Sequence, residues 1–130
     1  MNLVPITREK RAIEILYDLL KERTPEQSIS HKVMPTIEEH AEFVRSHPYL
    51  CWYLLLDDDY VGSVYLSKQR EIGVFIFKGH QGKGFATEGV RMLMERWPGK
   101  FLANVAPTNP ASRRFFEKFG FRHIQDTLER

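Results

Sequence analysis

"EIGVFIFKGHQGKGFATEGV", residues 71–90, decides how this chain folds. Glu71 to Phe77 is nearly all apolar, the pattern of a central strand buried on both faces. From Phe85 to Trp97 the period changes, and Ala86, Val90, Leu93, Met94 and Trp97 fall on one helical face. Between them lie Gly79, Gly82 and Gly84. A strand, a glycine turn and a helix start together suggest a phosphate site. Small residues let the backbone come close, and the helix N-terminus adds unpaired N–H groups with partial positive charge.

Downstream, "PG" stops the helix, with Gly99 suited to a cap. "KFLANVA" at 100–106 reads as a further strand, joined to Glu71–Phe77 by a right-handed crossover and hence parallel to it. "NPASRRFFEKFG" is a helix with Pro110 near its first turn and Gly120 past its end. "FRHIQDTLE" at 121–129 reads as a last strand. Upstream, Leu50–Leu56 and Tyr60–Ser67 flank "DDD" as a hairpin, and "KQR" is a second tight connection. "NLVPI" is a short strand whose Pro favours an edge. Arg8 to Glu22 is helical in period, through Ile13, Leu16 and Leu20. Ser28 to Pro35 is loop-like. Thr36 caps a further helix, Glu39 completes a capping box, and Pro48 ends it.

The order β-α-α-β-β-β-α-β-α-β predicts an α/β (α+β) fold with one mixed, mostly antiparallel sheet. Helices cover both faces, in a single domain over 1–130. Hydrophobic residues make up 42% and charged residues 28%, the balance of a globular protein. The net charge of +2 is too even to argue for nucleic acid. One cysteine, Cys51, allows no internal disulfide, and its apolar flanks suggest a buried thiol. That favours a reducing, cytoplasmic setting. No segment approaches the roughly 18 apolar residues of a membrane span. His31, His40 and His47 do not cluster at metal-ligand spacing, so no metal site is expected.

Three phosphate-binding patterns compete for the turn. The ATP-type loop needs Ser or Thr after its Lys, and here Gly84 follows Lys83. The dinucleotide pattern G-x-G-x-x-G is half met by Gly82 and Gly84, with Thr87 where the third Gly belongs. "QGKGFA" fits the third, Q/R-x-x-G-x-G/A, with Gln81, Gly84 and Ala86 at its defining positions. On these residues the chain resembles the GNAT superfamily of acyl-CoA-dependent N-acyltransferases. "NPASRRFFEKFGF" is similar to that family's later motif and lies one strand after the glycine-turn helix.

The resemblance implies acetyl-CoA as co-substrate, with no metal. Its pyrophosphate would sit on the backbone of Gln81, Gly82, Lys83, Gly84, Phe85, Ala86 and Thr87. Asn109 would contact its pantetheine or adenosine side. The strands Glu71–Phe77 and Phe101–Val105 would begin paired and then splay. The pantetheine arm would enter that wedge and meet the backbone of Val74, Phe75 and Ile76. Glu71 is the candidate base, and Asn104 stands where some relatives carry a catalytic Glu. Phe116 stands where many carry the Tyr that protonates the leaving thiolate, so Tyr65, Tyr53 or a water serves instead, or the thiolate leaves unassisted.

The implied function is transfer of acetyl to a primary amine, of a small molecule such as an amino sugar or of a protein N-terminus. The acceptor would meet the 28–35 loop, the helix from Thr36, and Tyr49, Trp52 and Tyr53, which suit a hydrophobic core equally well. No nucleic acid or membrane partner is implied, and a homodimer stays open. A CoA-binding module without catalysis and a nucleotide-binding domain are the alternatives.

Overall fold

A computed structural model describes residues 1–23, 34–105 and 109–125. The 28–33 part of the acceptor loop, Ala106 and the 126–129 part of the expected last strand lie outside them.

The sheet has strands β1 (Asn2–Pro5), β2 (Tyr49–Leu56), β3 (Tyr60–Ser67) and β4 (Ile72–Ile76), in that spatial order. All three pairings are antiparallel. The hairpins form where the turn residues place them. The Asp57 N–H donates to Asp59 O at 2.9 Å, and the Tyr60 N–H to Asp59 Oδ1 at 2.8 Å. At the second turn the Arg70 N–H donates to Ser67 O at 2.9 Å.

Among the described residues, four helices follow the apolar periods: α1 (Ala12–Glu22), α2 (Ile37–Arg45), α3 (Phe85–Arg96) and α4 (Pro110–Lys118). α1 begins four residues later than its period suggests, after a short 3-10 turn at Ile6–Arg8. The α2 capping box is complete: the Glu39 N–H donates to Thr36 Oγ1 at 3.1 Å and the Thr36 N–H to Glu39 Oε1 at 2.9 Å.

Successive strand residues point to opposite faces, and two cores result. Leu54 packs with Ala12, Ile15, Leu16 and Val44 of α1 and α2. Leu55 packs with Val64, Val90, Leu93 and Phe116 on the α3 and α4 side. Helices therefore cover both faces, as expected. The same alternation separates Trp52, on the α1 and α2 side, from Tyr53, whose hydroxyl accepts from Trp97 Nε1 at 3.0 Å on the other.

The expected parallel strand over 101–105 is not formed. Glu71 and Leu102 make one isolated parallel bridge: Ile72 N–H to Leu102 O at 2.8 Å and Leu102 N–H to Arg70 O at 2.9 Å. Beyond it Ala103 and Val105 turn into the α3 and α4 core instead of following β4. The bridge is held by Arg70, whose guanidinium donates to Lys100 O and Trp97 O, each at 2.6 Å, and stacks on Phe101. Residues 121–125 are likewise not a strand.

Candidate active site

The early divergence leaves β4 with an open edge, and the register says which groups line it. The Phe77 N–H donates to Val61 O, and the Ser67 N–H donates to Glu71 O, both at 2.9 Å. Antiparallel bonding alternates along a strand. Glu71, Gly73, Phe75 and Phe77 therefore turn their backbone groups to β3, while Ile72, Val74 and Ile76 turn theirs outward. Leu102 takes the Ile72 N–H, and the Gln81 side-chain amide donates to Ile76 O at 3.1 Å. Val74 is left with both its N–H and its C=O facing the opening. Phe75 offers its ring rather than its backbone, because its carbonyl points at Gly62.

This edge forms one wall of a cleft of about 500 Å³. Among the sequence-predicted residues it brings together Glu71, Val74, Phe75, Ile76, Gln81, Gly82, Ala86, Asn104 and Asn109. At one end Asn104 Nδ2 donates to Glu71 Oε2. Glu71 is thus oriented by Asn104 rather than paired with Arg70, which is committed to the Trp97 and Lys100 carbonyls. At the other end Gly82 and Gly84 have φ of +79° and +84°, the left-handed region that favours glycine. A Cβ at either would meet nothing within 4 Å, so the cradle is open. Gly84 caps α3 without a side chain, and the Glu88 N–H is the first to find a helical partner, at Gly84 O. The N–H groups of Phe85, Ala86 and Thr87 lie outside the helix's own bonding.

Four predicted residues are not among those lining the cleft, Gly84 at the α3 cap and three others. Lys83 is exposed, Phe85 packs on the α3 and α4 core, and Thr87 lines a neighbouring hollow with Arg114 and Lys118. Asn109 has a structural task as well: its Oδ1 accepts the Ser112 N–H at 3.1 Å as the cap of α4. Phe116 is buried in the core and borders the cleft. Of the two phenols considered for the leaving thiolate, Tyr65 lines the cleft, while Tyr53 lies across the sheet. Burial pushes the Tyr65 phenol up, which keeps its proton in place near neutral pH.

The cleft thus offers an open strand edge, a side-chain-free helix start and an oriented carboxylate. The model of the acetyltransferase (GNAT) domain matches residues 2–122. The chain belongs to the GNAT acetyltransferase family. As a GNAT domain it is an acetyltransferase. Solved structures agree on the fold. A chimera of the spermidine N-acetyltransferase SpeG from Vibrio cholerae and hSSAT is 21% identical, with 96% of this chain and 84% of that one covered at a TM-score of 0.74. The ribosomal-protein-alanine N-acetyltransferase from Brucella melitensis is 14% identical, with 96% and 86% covered at 0.74. YncA from Salmonella typhimurium, solved with its cofactor acetyl-CoA, is 18% identical, with 93% and 80% covered at 0.72. At these identities the likeness is one of fold. A search of curated proteins returns no match.

Some site residues were not legible as such. Arg23 and Leu19, at the end of α1, line the cleft together with Glu22. Glu22 Oε1 also accepts the Lys78 N–H at 2.7 Å, which ties α1 to the end of β4. In the sequence these residues read only as a helix end. Among the described residues there is no group of three or more His, Cys, Asp or Glu that could hold a metal, and no helix is long and apolar enough to cross a membrane.

Proposed function

We propose that this GNAT domain transfers acetyl from acetyl-CoA directly to a primary amine of a small molecule, with the cleft along β4 as the reaction site. The observation that carries this reading is the outward-facing backbone of Val74 between an oriented Glu71 and an open glycine cradle. The splay begins at the Glu71–Leu102 bridge, and the pantetheine arm fits along the edge that it exposes.

Acetyl-CoA, when bound, supplies an activated thioester. The free N–H groups of Gly82 to Thr87 suit its diphosphate, and left-handed glycines let the main chain approach it. The outward N–H of Val74 is placed to donate to a carbonyl oxygen that gains charge in the transition state. An alkyl amine with a pKa of about 10 arrives protonated. Glu71, directly or through a water, takes that proton, and Asn104 holds the carboxylate in place. The nitrogen then forms its bond to the acetyl carbon, the C–S bond breaks, and the second proton that the nitrogen sheds replaces the one given to the sulfur. Tyr65 is the phenol in position to donate to the leaving sulfur, in place of the Tyr that Phe116 replaces.

A thiol-release assay with acetyl-CoA over a panel of primary amines tests this. Amine-dependent release is expected. Acetyl-CoA binding without release for any amine would leave only a CoA-binding module, and binding of ATP or NAD in its place would overturn the reading.

A further inference from the structure

A second hollow of about 230 Å³ lies on the α1 and α2 side of the sheet. Arg23, Tyr65, Phe75 and Leu19 line both it and the cleft, so the two lie side by side. At about 30 Å³ per water, the hollow holds roughly eight waters, the scale of a small metabolite.

Two of its polar groups are donors, Arg23 and the Trp52 indole. The Arg23 guanidinium stacks on the Phe75 ring, 3.7 Å from the centroid. Its Nε is buried without a hydrogen-bond partner, and so is Trp52 Nε1. The ion pairs among the described residues join other side chains: Asp18–Lys21, Glu88–Arg91–Glu95 and Arg113–Glu117. Tyr49 and Tyr65 stack at 3.9 Å beside Arg23, and burial raises both phenols, so both keep their protons. Among the described residues, the one carboxylate lining the hollow, Glu39, is bonded to the Thr36 N–H in the α2 cap. A half-buried guanidinium with no carboxylate partner among the described residues is costly. Burial holds the Arg23 pKa below its ordinary value. A polycation entering here would meet that charge, with the hollow's described carboxylate, Glu39, held in the α2 cap.

We propose that the acceptor is an amino-carboxylate: its amine faces Glu71 in the cleft, its carboxylate is held by Arg23, and an uncharged body lies among Phe43, Tyr49 and Trp52. This rests on the assignment of the β4 cleft to acetyl transfer. Arginine suits the task because its planar fork matches a carboxylate. The unpartnered Trp52 indole N–H supplies a further donor.

The test compares phenylalanine, methionine and tyrosine with their carboxamides, and with spermidine, in wild type, Arg23→Met and Arg23→Lys. Arg23→Met should raise KM for the amino acids roughly 10- to 30-fold, as expected for a lost hydrogen bond to a charged group. KM for acetyl-CoA and for the carboxamides should hold, and Arg23→Lys should recover part of the loss. Independently of turnover, N-acetylphenylalanine should shift the Trp52 indole N–H resonance and leave that of Trp97, bonded to Tyr53, in place. Carboxamides or spermidine turned over as well as the amino acids would overturn the proposal. So would a rise in KM for acetyl-CoA in Arg23→Met, which would assign Arg23 to the cofactor. If acetyl-CoA moves the amides of Gly82 to Thr87 while no carboxylate moves the Trp52 indole, only this inference fails. If acetyl-CoA moves none of those amides, the functional reading fails and takes the inference with it.

Discussion

Glu71→Gln is expected to slow acetyl transfer by about 10²- to 10⁴-fold, the range of a lost general base, with binding of acetyl-CoA unchanged. The substitution isolates proton removal. Asn104 Nδ2 donates to Glu71 Oε2, and a glutamine carbonyl oxygen accepts the same bond. The bridge that positions the residue is made by backbone, Ile72 to Leu102 and Leu102 to Arg70. Geometry and charge are therefore separable here. Steady-state kinetics with a saturating amine, together with calorimetric titration of acetyl-CoA, check the result. Turnover within a few fold of wild type would remove Glu71 from the chemistry.

Gly84→Val should weaken acetyl-CoA binding by about 100-fold. The cause is the main chain and not a clash inside the protein, since a Cβ at this position has nothing within 4 Å. Gly84 caps α3 at φ +84°. An L-residue pays roughly 1–2 kcal/mol to hold that region, and a β-branched one is a genuine outlier there. Relief of that strain turns the first peptides of α3 and misaligns the N–H groups of Phe85 to Thr87. Any valine that keeps the turn places its methyls in the cradle. Gly82→Ala, at φ +79° and also in open space, is expected to be milder because alanine lacks the branched methyls. Direct titration of acetyl-CoA reads both. Wild-type affinity in Gly84→Val would show that the turn does not grip the ligand.

Much of the fold was legible because local chemistry and tertiary packing agree. "PTIEEH" predicts a capping box and forms one. "DDD" predicts a hairpin, and the alternation along "CWYLLL" puts Leu54 and Leu55 into separate cores. The same alternation separates Trp52, in the second hollow, from Tyr53, in the opposite core, although the sequence offered both as one aromatic face. The run "KFLANVA" has strand composition yet forms a single bridge. Its path is set by the Arg70 clamp and by burial of Ala103 and Val105, which no local pattern reports. Arg23 was illegible for a related reason. "KERTPEQ" reads as the end of a helix, and only packing against Phe75, far along the chain, turns a surface cation into a half-buried one. Tyr65 was visible as a phenol. Its place over Gly73, where a Cβ would fall within 2.1 Å of the ring, depends on strand register.

The central claim is that the outer edge of β4 and the turn after it hold the acyl donor through main-chain groups. Residue-resolved amide hydrogen exchange, with and without acetyl-CoA, tests it most directly. The Val74 amide faces the opening, whereas those of Gly73 and Phe75 face β3. Acetyl-CoA should slow exchange at Val74 and at Gly82 to Thr87, with little change at Gly73 and Phe75. Saturating acetyl-CoA that leaves Val74 and the glycine turn as fast as in the free protein would contradict it.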